Sequence, residues 1–267
     1  AEGPVSGNVL LRREQYRRSD DPPGCAAIVR SLVLAKTLNQ RTVLRRALRD
    51  HGGAMAEAAR DAVEAVERRL TDIARRAQID QGSDSLRGLE GEAAAAYFSA
   101  FDHLIRSDEP AFRFASRSRR PPLDPVNALL SLLYTLLTHD CRSALEAFGL
   151  DPAVGFLHRD RPGRPSLALD LLEEFRPPVA DRLALSLINR RQLGSSDFRR
   201  MENGAVLLTD DARKALITAF QERKKEEMLH PFLQEKAPLG LMPQLQAQLL
   251  ARHLRGDLDA YPPFVWK

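Results

Sequence analysis

The chain has 267 residues, a formal net charge of +4, 43% hydrophobic and 28% charged residues, and 6% aromatics. That is ordinary for a soluble globular protein, and long enough for a real core in one large domain or two small ones. It excludes a membrane span, since no run reaches about 18 apolar residues. Cys25 and Cys141 exclude a disulfide framework and lack metal-ligand spacing. With no signal-peptide pattern in sight, the reading is a cytoplasmic protein. Ala, Leu and Arg dominate, which favours helix. The basic side is mostly arginine, which suits phosphate-rich partners.

Residues 3–12 hold Gly, Pro, Asn and short apolar pieces, and read as an extended linker or strand end. From Pro22 to about Asp50 the pattern is helical, with Ile28, Leu32, Val33, Leu38, Val43, Leu44 and Leu48 on its apolar side. His51-Gly52-Gly53 breaks it. Met55, Ala59, Ala62, Val63, Val66, Leu70 and Ile73 then form an amphipathic stripe. After a polar turn at 79–85, a helix over 86–101 carries Glu90 between Gly88 and Gly91. A mid-helix glycine costs about 1 kcal/mol against alanine, so Gly91 calls for a reason such as close backbone or ligand approach. Glu92 reads as solvated.

Residues 106–124 read as a loop. Within it Phe112-Arg113-Phe114-Ala-Ser-Arg117-Ser-Arg119-Arg120 has four arginines and no acid, interleaved with Phe as a nucleic-acid backbone would suit. Asp124 is an N-cap with Pro125 at N1, opening an apolar helix to about Phe148. Asn127, Ser131 and Tyr134 share one face of it, and His139 and Cys141 read as structural.

The stretch with the most chemistry is Gly155-Phe-Leu-His158-Arg-Asp-Arg-Pro-Gly163-Arg-Pro-Ser166-Leu-Ala-Leu-Asp170-Leu-Leu-Glu173-Glu174-Phe-Arg-Pro177. A histidine closes an apolar run, a Gly/Pro/Arg loop follows, and a short helix begins with Ser166 as N-cap and Pro177-Pro178 as a hard stop. Leu167, Ala168, Leu171, Leu172 and Phe175 fall on one face, and Ser166, Asp170, Glu173 and Glu174 on the other. Such a polar face is ordinarily just solvated. Carboxylates plus an imidazole also suit Mg²⁺ or Mn²⁺, with Arg159, Arg161 and Arg164 placed to hold a phosphate. The wheel does not choose between Glu173 and Glu174, about 60° and 40° from Asp170.

Further on, 179–193 reads as a helix. Residues 198–209 form a hairpin whose Asn203-Gly204 predicts a type I′ turn. Thr209 caps a helix to about Met228 with Arg223, Lys224 and Lys225 exposed, and Pro243 opens a last helix to about Leu254. The expected class is mainly α with this one hairpin.

Taken in order, Gly88-Leu-Glu90-Gly, Asp124-Pro-Val-Asn127-Ala-Leu-Leu-Ser131-Leu-Leu-Tyr134, Gly155-Phe-Leu-His158 and Ser166-Leu-Ala-Leu-Asp170-Leu-Leu-Glu173-Glu174-Phe-Arg-Pro resemble the CRISPR-associated integrase family Cas1. The opening Gly-Pro-Val-Ser-Gly-Asn and the tail Tyr-Pro-Pro-Phe-Val-Trp-Lys267 resemble type I-C members. The resemblance spans essentially the whole chain. It implies a helical catalytic domain over 18–267, with 1–17 a linker or remnant of the family's N-terminal β-rich domain. It implies one divalent ion, Mg²⁺ or Mn²⁺, held by Glu90, His158 and Glu173, with Asp170 lining the site or joining the metal shell in some states. The implied activity is that of an integrase and endonuclease. A prespacer, double-stranded DNA with single-stranded 3′ ends, attacks CRISPR repeat DNA at the leader–repeat junction by transesterification. Arg113, Arg117, Arg119, Arg120, Arg159, Arg161 and Arg164 are the expected DNA contacts. The implied partners are a second copy in a homodimer, the small protein Cas2 and, in type I-C systems, often the nuclease Cas4. The alternatives are a metal-dependent nuclease or casposon-type integrase outside CRISPR immunity, and a non-catalytic scaffold.

Overall fold

The structure, a computed structural model, describes residues 9–79 and 81–266. Helix α2, Pro22–His51, is its spine. The Asp21 carboxylate accepts from the Gly24 N–H at 3.0 Å, and Pro22 fills the first turn, where no intrahelical donor is needed. Ile28, Val29, Leu32, Val33 and Leu44 are buried, but so are Lys36, Thr37, Asn39 and Gln40. Buried polar groups need partners, and the partners of Lys36 and Asn39 define the centre of the molecule.

Against α2 pack α1 (Val9–Asp20), α3 (Glu57–Gln78), α4 (Ser83–Ser99) and α6 (Ser166–Phe175). α5 (Pro125–Ala147), capped by Asp124 as expected, closes the other side of α6 together with α9 (Met242–Leu254). The extended reading of residues 3–12 is corrected from Val9 onward, and its earlier part lies outside the described residues. α1 is helical because it has a docking face: Leu11 is buried, and Gln15 donates to the Asp151 and Val154 carbonyls at 2.8 Å each. Among the described residues helix is therefore present from Val9, and not only from about residue 18.

Pro177-Pro178 does not stop the helix. α6 continues through a wide π-type turn over residues 176–181 into α7 (Arg182–Asn189). Proline removes the N–H that would bond four residues back. The Glu174 carbonyl, orphaned by Pro178, is satisfied instead by Asn39 Nδ2 at 2.7 Å. The same amide group donates to the Phe264 carbonyl at 2.9 Å, and Asn39 Oδ1 accepts from the Trp266 N–H at 2.8 Å, so one side chain ties the C-terminal tail to the core.

The first hairpin is present as β1 (Phe198–Arg200) and β2 (Val206–Leu208), but its turn is not type I′. Among its turn residues only Gly204 has positive φ, at 81°, and the Met201 N–H to Ala205 carbonyl bond at 2.8 Å closes a three-residue loop. Helix α8 (Asp210–Lys225) follows, capped by Thr209. Arg223 and Lys224 on it are half-buried rather than exposed, donating to the Pro178 carbonyl and to Asp140. A second hairpin, β3 (Glu227–Leu229) with β4 (Lys236–Pro238), was not expected. Its strands lack alternation, and the buried ring of His230 organises the turn. Nδ1 accepts from the Phe232 and Leu233 N–H groups, and Nε2 faces Gln246 Oε1 at 2.9 Å. Among the described residues no helix is long and apolar enough to cross a membrane.

The supposed polar face of α6 is buried throughout: Ser166, Asp170, Glu173 and Glu174 all sit in the interior. Glu174 faces the tail. Its carboxylate accepts from the Tyr261 hydroxyl, from Gln246 Nε2 at 2.8 Å and from the Phe264 N–H at 2.6 Å. Burial raises its pKa to about 7 against those donors. The folded chain therefore keeps this proton to higher pH than the unfolded chain, and stability is lost as pH rises from about 4.5 through about 7. We expect urea unfolding to show a decline on the order of 3 kcal/mol across that window, and Glu174→Gln to flatten it. An identical slope in the variant would assign the titration elsewhere.

Candidate active site

His158 is aimed by Asp170. One Asp170 oxygen accepts from the N–H groups of Phe156 (2.6 Å) and Leu157 (3.0 Å). The other accepts from the His158 N–H (2.8 Å) and lies 2.7 Å from His158 Nδ1. With three backbone donors already on it, Asp170 acts as an acceptor toward the ring. Nδ1 thus carries the proton and Nε2 presents its lone pair outward. The loop is clamped from the opposite side by Arg87 of α4, which donates to the Leu157 carbonyl at 2.7 Å and the Phe156 carbonyl at 2.9 Å. Gly155 is required by this packing. A Cβ there would lie 2.9 Å from an Asp170 oxygen and 2.8 Å from the Ser166 Cβ. Ser166 is not the N-cap but the first helical residue, and its hydroxyl donates to the Arg159 carbonyl at 3.3 Å.

One helical turn beyond Asp170, Glu173 lies in the same pocket, with one oxygen 3.8 Å from His158 Nε2. That oxygen also takes a short hydrogen bond from Arg176, whose guanidinium is held over the Tyr134 ring at 4.8 Å. Burial alone would raise the Glu173 pKa, but the Arg176 guanidinium and the Lys36 ammonium overcome it and hold it at about 2. Glu90 arrives from α4. Its carboxylate and that of Glu173 converge on one cation, the buried ammonium of Lys36. Nζ makes a short hydrogen bond to Glu90 and lies 2.7 Å from the second Glu173 oxygen. Glu173 thus faces His158 and shares Lys36 with Glu90, whereas Glu174 faces the C-terminal tail.

As the side chains stand, no three His, Cys, Asp or Glu residues among those described have metal-binding spacing. The donor chemistry nonetheless fits a hard divalent ion. Two carboxylates already share a cation, an imidazole Nε2 is turned toward one of them, Glu173, and Glu173 Oε2 is buried without a hydrogen-bond donor of good geometry despite the nearby ammonium.

Beside His158 opens a cleft of about 710 Å³ lined by Arg117, Arg119, Arg120, Arg161, Arg164 and Arg176. The family model for CRISPR associated protein Cas1 matches residues 1–222 of the chain.

The chain belongs to the Cas1 family.

A CRISPR-associated endonuclease Cas1 of Rhodospirillum rubrum is 65% identical over this whole chain and 77% of its own length. One of Chlorobaculum tepidum is 57% identical over the same shares. A Cas1 of Leptospira interrogans is 45% identical over 97% of the chain and all of its own length. Among solved structures, the Cas1 protein of Thermotoga maritima superposes with a TM-score of 0.78 at 26% identity, covering 95% of this chain and 73% of that one. A casposase bound to integration product has a TM-score of 0.85 over the whole chain and 71% of its own, a likeness of fold at 23% identity.

Of the expected DNA-contacting arginines in this Cas1 chain, Arg117, Arg119, Arg120, Arg161 and Arg164 meet at the cleft, and Arg113 and Arg159 do not line it. Arg113 pairs with Asp102 at 3.4 Å and Arg159 with Asp84 at 2.8 Å. Arg117 is half-buried and tied to Asn127 Oδ1 (2.5 Å) and Ser131 (3.2 Å), which explains the polar face of α5. Phe112 and Phe114 are core residues, packed on Phe198 and on Phe98 and Phe101, so the Phe/Arg interleaving anchors the loop and does not stack bases. Glu92 is ion-paired with Arg76 (3.1 Å) and Arg69 (3.5 Å) across α3 and α4, rather than simply solvated. No neighbour approaches Gly91: a Cβ there would meet nothing within 4 Å. Sequence reasoning missed Lys36, whose only signal was a lysine inside an apolar helical run.

Asp170→Asn replaces an acceptor that serves four N–H groups with a side chain that is half donor. We expect a loss of about 2–4 kcal/mol in urea unfolding. In a long-range ¹H–¹⁵N spectrum, His158 should move from one tautomer to a mixture. An unchanged His158 tautomer would remove Asp170 from its orientation.

Proposed function

We propose that the chain is a metal-dependent DNA integrase and endonuclease of CRISPR adaptation, joining the 3′-OH ends of a prespacer to CRISPR repeat DNA by transesterification. The observation that carries this reading is the convergence of Glu90, His158 Nε2 and Glu173 at the edge of an arginine-lined cleft. Glu90, His158 and Glu173 would hold Mg²⁺ or Mn²⁺, and Asp170 would position His158 from behind. When bound, such an ion supplies Lewis-acid chemistry that acidifies the attacking hydroxyl and neutralises charge on the phosphorane-like transition state. Arg176, fixed by Glu173 and Tyr134, lies where a guanidinium can accompany the scissile phosphate. Arg119, Arg120 and Arg161 are exposed on the cleft and suit backbone phosphates rather than bases.

The relatives support a reading of the chain's partners. The neighbours by fold include a Cas6-RT-Cas1–Cas2 complex, matched at a TM-score of 0.82 and 26% identity, and curated relatives include Cas4/Cas1 fusions. We extend these to the present chain as a homodimer working with a Cas2 protein and, in some systems, a Cas4 nuclease.

A strand-transfer assay with a 3′-OH oligonucleotide duplex and a repeat-bearing plasmid tests the reading in the presence of Cas2. Glu90→Gln, His158→Ala and Glu173→Gln should each abolish joining while leaving DNA affinity near wild type, and Glu174→Gln should keep most activity. Neutralising Arg119, Arg120 and Arg161 together should lower affinity for unrelated sequences alike and flatten the log K against log salt slope by roughly 2–3. Joining by all three site variants would refute the proposal.

A further inference from the structure

Lys36 is the one residue at this centre that neither the motifs nor the comparisons account for. It is almost fully buried, at 4% exposure, halfway along α2. A lysine is rarely carried into an interior unless its charge is compensated there. The compensation is specific, because among the described residues the ammonium pairs with the Glu90 and Glu173 carboxylates alone. Those are two of the three side chains read above as metal ligands. α2 packs against both α4 and α6 and holds the lysine between them, where its charge bridges two carboxylates that would otherwise repel.

We propose that Lys36 is a built-in counter-ion of the metal-free centre, whose ammonium a divalent ion must displace from Glu90 and Glu173 in order to bind. The inference rests on the metal-centre reading of the preceding section. Two observations argue for displacement rather than co-residence. The ammonium already occupies one oxygen of each carboxylate, Glu173 Oε2 and Glu90 Oε1, and Arg176 holds the other Glu173 oxygen, so both Glu173 oxygens face a protein cation before any metal arrives. An ammonium left among them would also sit within a few ångströms of a dication, an unscreened repulsion in a buried site. The ammonium has somewhere to go: Glu90 is one-quarter exposed, so the Glu90 side of the pair is open to solvent, and a four-carbon stem can carry the charge there. Lys36 is thereby a positioning residue. It keeps the two carboxylates converged before loading and lowers the affinity for the ion by the cost of its own release.

Two measurements test this on the 267-residue chain. In the first, Mn²⁺ binding is followed by loss of the free-ion electron paramagnetic resonance signal. Lys36→Met, which keeps the length and apolar stem, should bind Mn²⁺ about ten-fold more tightly than wild type, and its metal-free form should melt at lower temperature. The second needs no variant. Reductive methylation read by peptide mass spectrometry should modify Lys36 several-fold faster in saturating Mg²⁺ than without it, with Lys214, Lys225 and Lys236 unchanged. Equal Mn²⁺ affinity in wild type and Lys36→Met would overturn the proposal. So would Mg²⁺-independent labelling of Lys36, and that arm decides alone if the variant does not fold. Glu173→Gln separates the two levels. If wild type and Lys36→Met bind Mn²⁺ no better than Glu173→Gln, the metal centre itself falls, and this inference with it.

Discussion

Everything at the centre of this molecule answers to the burial of three carboxylates on one short helix. Asp170, Glu173 and Glu174 lie within five residues of α6, and none is exposed by more than 1%. Each buried carboxylate needs compensation, and each receives a different kind. Asp170 takes backbone N–H groups and an imidazole, Glu173 takes two cationic side chains, and Glu174 takes a phenol, an amide and a backbone N–H. The rest of the fold is arranged to deliver these partners. α2 supplies Lys36, α4 supplies Glu90 and the Arg87 clamp, and α9 and the tail supply the groups around Glu174.

The three solutions divide the helix by role. The Glu174 side is closed, and the Tyr261–Phe264–Trp266 tail seals it. The Asp170 side is a scaffold that fixes a loop and a ring. Only the Glu173 side retains a mismatch, with one oxygen lacking a well-formed hydrogen bond. The exchange of Lys36 for a divalent ion proposed above would draw on such a mismatch, because a fully satisfied network gains less from an incoming ligand.

Much of this was legible in the residues, and the remainder was hidden for physical reasons. The stripe of α3, the Asp124-Pro125 cap and the first hairpin's place follow from local chemistry. The family motifs singled out Glu90, His158 and Glu173, which the fold brings together. Periodicity wrongly suggested a solvated face on α6, since a wheel records which residues share a side but not what covers it. Pro177-Pro178 read as a stop because the remedy, Asn39, lies 135 residues away from the Glu174 carbonyl it satisfies. Lys36 was invisible for the same reason: a buried lysine looks like any other interruption of an apolar run until its partners from two other helices are known. That Arg117 lines the cleft while tied to Asn127 and Ser131 was hidden in the sequence, because its partners lie on α5.

That Glu90, His158 and Glu173 form one divalent-metal centre is open to direct test. Anomalous scattering from crystals grown with Mn²⁺ tests it most directly. The account predicts a single strong peak bonded to His158 Nε2 and to oxygens of Glu90 and Glu173, with Lys36 Nζ moved off both carboxylates. A peak coordinated by Glu174 or Asp170 instead, or Lys36 still bridging Glu90 and Glu173 in fully loaded protein, would contradict it.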